Sequence, residues 1–271
     1  MTDITTPATS NDPQAEHNAR VWANGRFVGF YASHELRPAE SVFIDRYRED
    51  LKGKVLELGC GAGRLTGHLI EVADSVHGID LSPRMVEHCR KEYPRGTYSV
   101  LDLRDVARFG PGYADAVIAT YSVIDVLGDE ERRRVLADIA TILKPGGLLM
   151  MSSHNLAYVP KLRSPTDLRA RNIVRRAGRL ALMPFRLRNR LALTRFERKG
   201  EGWAIVNDDA HTYRLVHYYI SRDAQERQLR EEGFELIECL DNDGRTVGPG
   251  ETGEDYVELY YIARPIPAAG P

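Results

Sequence analysis

The sequence predicts an α/β fold in which a doubly wound, mostly parallel seven-stranded sheet carries helices on both faces. Three observations lead there. Strand-like and helix-like stretches alternate from Val55 to Ser152, a glycine-rich turn follows the first strand, and two further strands end on aspartates, Asp80 and Asp102. Strands separated by helices pair in parallel through right-handed crossovers.

The elements follow in order. Residues 1–18 are polar and read as a disordered tail. Residues 19–50 form an N-terminal helical segment with Trp22, Phe27, Phe30 and Tyr31, and a helix expected from Pro38 to Leu51. The core, 51–155, runs strand Val55–Leu58, helix Leu65–Ala73, strand Ser75–Ile79, helix Pro83–Glu92, strand Tyr98–Leu101, strand Ala116–Ala119, helix Asp129–Leu143 and strand Leu148–Ser152. Lys144-Pro145-Gly146-Gly147 punctuates the last helix. Residues 156–220 interrupt the alternation as a basic cap insertion with a helix expected over Thr166–Leu182, ended by Pro184. Residues 221–271 complete the core with helix Arg222–Glu232 and strands Leu236–Leu240 and Tyr256–Ala263.

Composition narrows the function classes. With 42% apolar and 28% charged residues in 271, the chain buries a core and is neither fibrous nor largely disordered. No apolar run approaches the roughly 18 residues that span a bilayer, and the first residues lack a signal-peptide pattern, so a cytoplasmic location is expected. Three cysteines without a CxxC pair give neither a disulfide scaffold nor a zinc site. The net charge of −2 hides an asymmetry, because Lys161 to Lys199 holds 13 basic residues against two acids.

The glycine turn reads Glu57-Leu58-Gly59-Cys60-Gly61-Ala62-Gly63-Arg64. Glycines here let backbone approach a ligand at the carboxyl edge of the sheet. A dinucleotide site wants GxGxxG, but Arg64 occupies the third glycine's place. Asp80 lies 21 residues after Gly59, where a carboxylate can accept from ribose hydroxyls. Asp102-Leu103 suits an adenine, with the carboxylate facing its amino group.

These segments, ELGCGAGR (57–64), GIDLS (78–82), LDL (101–103), ADAVIATYSV (114–123) and LKPGGLLMMSS (143–153), resemble the class I, Rossmann-like S-adenosylmethionine-dependent methyltransferases. The resemblance implies that Glu57, Gly59, Cys60, Gly61 and Gly63 hold the methionine part. It assigns Asp80 with Leu81 to the ribose, Asp102 with Leu103 to the adenine, and Tyr121 to the same cofactor surface. S-adenosylhomocysteine is then the product, and Tyr31 falls where relatives place a lid.

Methyl transfer to a hydroxyl calls for a positioned base. His154 leaves strand five at the active-site edge, and His211 and His217 form a second cluster, so these and Tyr121 are the catalytic candidates. Read as one strand, 211–219 puts His211, Tyr213, His217 and Tyr219 on one face and Arg214 and Tyr218 on the other. Asn155, Tyr213, Arg214 and Tyr218 join Tyr31 as substrate or cap candidates. No spacing identifies a metal site.

The expected reaction is methylation of an oxygen or nitrogen of a small molecule in specialised metabolism or glycan assembly. A macromolecular acceptor such as RNA and a non-catalytic SAM-binding role are the alternatives. The basic block reads as a solvated helical lid, a site for an anionic acceptor, or a membrane-surface helix. RNA ranks last because only Phe185 and Phe196 interleave its arginines. The sequence leaves the oligomeric state open.

Overall fold

The structure, a computed structural model, describes residues 12–23, 35–162, 166 and 173–267. Five strands, β1 (Lys54–Leu58), β2 (Ser75–Asp80), β3 (Thr97–Val100), β4 (Ala114–Ala119) and β5 (Leu143–Asn155), pair in parallel in the order β3-β2-β1-β4-β5. Antiparallel β10 (Glu258–Pro265) continues the sheet beside β5, and β9 (Phe234–Leu240) closes that edge. These seven strands are the expected sheet.

Three further strands come from the insertion: β6 (Arg198–Gly200), β7 (Trp203–Val206) and β8 (His217–Ile220). β8 runs parallel to the end of β5, pairing His154 with Tyr219 and Asn155 with Ile220, and β7 and β6 follow as an antiparallel ribbon. Among the described residues the sheet therefore has ten strands. Because β5 extends past the end of β4, the insertion builds outward directly over the carboxyl edge.

Alternation along each strand divides the core between two faces. Leu56, Leu58, Val117 and Met151 pack against α5 (Asp129–Ile142) through Val135, Leu136 and Ile139, with Leu229 of α7 (Arg222–Glu231) alongside. Val55, Ala116, Ile118 and Met150 face α2 (Pro38–Arg46) through Phe43 and Ile44, and Leu65 and Leu69 at α3 (Thr66–Ile70). Helix α4 (Pro83–Glu92) covers the glycine turn with Val86 and Cys89.

The expected tail does not extend to residue 18. Pro13–Ala23 is a helix, α1, whose Gln14, Ala15 and Asn18 are buried. Its polar composition disguises a tethering role: Asn18 Nδ2 donates to the carbonyls of Val126 and Val216, both at 2.8 Å. Residues 1–11 and the lid candidate Tyr31 lie outside the described residues.

The long insertion helix, α6, spans Ile173–Leu193, so Pro184 lies inside it rather than ending it. Proline removes one helical hydrogen bond. The second half is fixed from outside by Asn189 Nδ2 donating to the Thr212 carbonyl (2.9 Å) and by burial of Leu193 with Ile205, Val216 and Tyr218. No helix among the described residues is long and apolar enough to cross a membrane.

Candidate active site

A cavity of about 300 Å³ opens at the carboxyl ends of β1, β2, β4 and β5. Its wall includes Glu57, Gly59, Cys60, Gly61, Asp80, Leu81, Asp102, Leu103 and Tyr121, together with His154, His211 and His217. The two groups of sequence candidates thus share one space. Ala15, Ala19 and Trp22 of α1 close it from the side.

The glycine turn is shaped by left-handed backbone. Gly59 has φ +63°, and a Cβ there would stand 2.3 Å from Val123 Cγ2. Gly61 has φ +55°, and the nearest atom to a Cβ would be the Gly59 carbonyl at 3.9 Å, so this glycine faces open space. Gly63 belongs elsewhere. A Cβ on it would meet Tyr93 Cε2 at 2.2 Å, which makes it a packing residue under α4 and not part of the cavity wall.

Two carboxylates point into the cavity from strand ends. Glu57 accepts from Thr66 Oγ1 (2.6 Å), and burial pushes its carboxyl up to about 7. Asp80 accepts from the backbone amides of Gly61 (3.0 Å) and Ser82 (2.8 Å), and burial raises it despite those bonds. A carboxylate offers roughly four acceptor positions, so both retain capacity for a ligand's donors.

Asp102 behaves differently from the expectation of a carboxylate open to an adenine. It accepts from the backbone amide (3.0 Å), Nε (3.0 Å) and Nη2 (2.6 Å) of Arg104. The ion pair with a buried guanidinium outcompetes a neutral amino group. At the opposite end, Arg64 forms a two-pronged pair with buried Glu40 and lies over the Tyr121 ring, 4.7 Å from its centroid. Arg37 Nη2 donates to the Tyr121 hydroxyl at 3.4 Å.

Histidine geometry dominates the other side. His154 Nδ1 lies 2.8 Å from Asp125 Oδ2, which also accepts from the His154 backbone amide at 2.6 Å. Burial alone would lower the imidazole's pKa, but the Asp125 carboxylate raises it. Burial would raise Asp125, and the Arg132 guanidinium beside it overcomes that and lowers it. Arg132 is itself fully buried, donating to Gln228 Oε1 (2.9 Å), Gln225 Oε1 (2.6 Å) and Ser153 Oγ (3.1 Å).

A second dyad stands beside the first. His217 Nδ1 is 2.7 Å from Asp208 Oδ2, which also accepts from the Tyr219 hydroxyl at 2.7 Å. The His154 and His217 rings stack with centroids 4.9 Å apart. Burial opposes ionisation of Asp208, yet the His217 ring holds it well below the usual carboxylate range. His211 is depressed to about 4, by burial first and His217 second. Atoms of His154, His217 and Asp208 lie within 4.8 Å of one another, but Asp208 is already committed to His217, Tyr219 and the Ala210 amide (2.9 Å).

Residues 211–219 are not one strand. Ala210–Thr212 is a tight turn, His211, Thr212 and Tyr213 have left-handed φ of 48°, 61° and 62°, and only His217–Ile220 is extended. The predicted face therefore breaks up. Tyr213 turns beneath Arg186 of α6, 5.4 Å from its ring centroid, and Tyr218 stacks on Trp203 at 5.1 Å. The Arg214 carbonyl receives His17 Nε2 at 2.8 Å. Asn155 Nδ2 donates to the Thr252 and Gly253 carbonyls at 2.8 and 2.9 Å. None of these four cap candidates lines the cavity. Asp125, Asp208, Arg132 and α1 are the contributors that sequence reasoning missed.

Comparison with known proteins agrees with this architecture. Residues 55–147 match a family model described as a methyltransferase domain. A ubiquinone biosynthesis O-methyltransferase of Thiobacillus denitrificans is 33% identical over 131 residues, covering 46% of this chain and 55% of the relative. An O-methyltransferase, cnsE, of Penicillium expansum is 30% identical over 181 residues, covering 56% and 63%. The chain thus spans about half the length of the relatives of the first kind. Among solved structures, the 1,6-didemethyltoxoflavin-N1-methyltransferase of Burkholderia thailandensis superposes with a TM-score of 0.58 at 13% identity, covering 98% of both chains. An S-adenosylmethionine-dependent methyltransferase of Clostridium acetobutylicum also gives 0.58, at 13% identity over 90% of this chain and 99% of the other. At such identities the likeness is one of fold. Residues 55–147 therefore match a methyltransferase domain, set in a fold shared with S-adenosylmethionine-dependent methyltransferases.

Proposed function

We propose that the protein transfers a methyl group from S-adenosylmethionine to a hydroxyl oxygen of a small molecule in a cytoplasmic biosynthetic step. The observation that carries this reading is the His154–Asp125 dyad on the wall of the cavity that also holds the glycine turn and Asp80.

The residues present fit the cofactor. Glu57 and Arg64 would hold the ammonium and carboxylate of the methionine part beside the glycine turn. Asp80 would accept from the ribose hydroxyls, and Leu81, Met85, Leu103 and α1 supply apolar walls for the adenine. The open space over Gly61 permits close approach of backbone. When bound, S-adenosylmethionine supplies a methyl group already activated on a sulfonium, so the protein's task is alignment and proton removal.

Asp125 is ionised and holds the proton of the His154 imidazole on Nδ1, leaving Nε2 as the acceptor. Nε2 can then take the proton of an acceptor hydroxyl, and Asp125 stabilises the imidazolium. The stacked His217, oriented by Asp208, offers a second acceptor beside it. Trp22, packed edge-on to His211 at 5.0 Å, helps exclude water from this end. A nitrogen nucleophile would need less, which is why a buried dyad favours oxygen.

The test is transfer of a deuterated methyl group from labelled S-adenosylmethionine into a fractionated extract, read by mass spectrometry. The expected result is a small molecule heavier by one labelled methyl, lost with His154→Ala. Label only in RNA or protein would refute the small-molecule reading.

A further inference from the structure

Helix α6 is built inside out. Arg186 and Leu193 are buried and Asn189 bonds the 212 carbonyl, so the face at 186, 189 and 193 points toward the protein. The side away from it is apolar and exposed: Leu180 is 53% exposed, Phe185 43% and Leu191 75%. These are three of the seven exposed large hydrophobic residues among those described. Single exposed apolar residues are ordinary, but a contiguous helical face of them marks an interaction surface.

The charge says what covers it. Six arginines and no acid lie between Ile173 and Leu193. Arg188 falls within the apolar face and is exposed, with no acidic partner among the described residues, and exposed Arg195 extends the face. A second copy of the helix would bring like charge against like charge. The helix, about 30 Å long and about 10 Å wide, also offers roughly 300 Å², short of the ~800 Å² per partner of a stable interface. A shallow apolar stripe carrying exposed Arg188 and continued by exposed Arg195 instead fits the boundary between headgroups and acyl chains of an anionic bilayer.

We propose that α6 docks the protein on an anionic membrane surface, with Leu180, Phe185 and Leu191 entering the lipid and Arg188 and Arg195 at the headgroups. Asn189 and Arg186 tie the helix to the 210–213 turn, whose Ala210 and His211 form cavity wall. Docking would therefore set the bilayer near the mouth of the site. The inference does not depend on the acceptor or on methyl transfer.

The test is sedimentation of the full chain with vesicles of equimolar phosphatidylcholine and phosphatidylglycerol, beside vesicles of phosphatidylcholine alone. Binding to the anionic vesicles, weakened by salt and reduced at least about tenfold in the triple variant Leu180→Ser, Phe185→Ser, Leu191→Ser, is expected. The triple variant should keep its S-adenosylhomocysteine affinity by calorimetry, which separates loss of docking from loss of fold. No binding to anionic vesicles, equal binding to both kinds, or unchanged binding by the triple variant would overturn the proposal. So would a wild-type dimer in solution that the triple variant dissociates, since a second copy would then cover the face.

Discussion

Replacing Asp125 with asparagine isolates the link between the buried charge network and the proposed base. The carboxylate accepts from Ser153 Oγ at 2.8 Å, the His154 amide at 2.6 Å and His154 Nδ1 at 2.8 Å, and pairs with Arg132. Asparagine keeps the shape and removes the charge. Arg132, fully buried, then faces an amide, which costs about 3–5 kcal/mol against a total stability of roughly 5–15 kcal/mol. The His154 imidazolium also loses its partner, and burial then dominates, so its titration falls. The sign follows from linkage. In the wild type, His154 is raised above 6.5, so its contribution is complete below 6.5 and disappears as pH rises through its folded value. The stability gap between wild type and Asp125→Asn should therefore narrow as pH rises through that window. Urea unfolding at a series of pH values measures the gap, and imidazole NMR resonances follow His154 directly. A gap independent of pH across neutrality, or an unmoved His154 titration, would refute the proposed coupling.

Other consequences are equally direct. His154→Ala should lower turnover by roughly 10²–10⁴-fold once an acceptor is in hand, with S-adenosylhomocysteine affinity unchanged by calorimetry. Glu57, raised to about 7 by burial, should release its proton when it meets the ligand's ammonium. Binding near pH 6–7 should then release protons to buffer, a signal that Glu57→Gln abolishes in calorimetry with buffers of different ionisation enthalpy. Gly59→Ala places a Cβ 2.3 Å from Val123 Cγ2 at a φ of +63° and should weaken both folding and ligand binding. Val123→Ala in the same chain should recover only the steric part, because the backbone strain remains.

What was legible in the sequence is what depends on local pattern. The β1 turn, Asp80 and the helix starting at Pro83 are encoded by neighbours in sequence, and they fall where their spacing puts them. His154, His211 and His217 reach the cavity too: His154 near the end of β5, His217 at the start of β8 beside it, and His211 through a strained turn that no alternation predicts. The partners of the histidines were hidden. Asp125 precedes His154 by 29 residues and sits in a short turn after β4, so nothing in the sequence links the two. Asp208 and His217 are nine apart across an irregular loop. Helix α1 reads as tail because its buried residues include Gln14 and Asn18, whose polar groups find partners far away in sequence, in the Leu127, Val126 and Val216 backbone and Arg198. Pro184 misleads for the same reason: contacts beyond the helix keep it continuous.

The central claim is that the cavity binds S-adenosylmethionine through Asp80. Calorimetric titration of the full chain with S-adenosylhomocysteine, wild type beside Asp80→Ala, tests it most directly. Loss of two charge-assisted hydrogen bonds should weaken binding by at least about tenfold. Saturable binding by the wild type, weakened by that factor in the variant, is the predicted result. Equal affinity in the two proteins, or no binding by the folded wild type, would contradict the account.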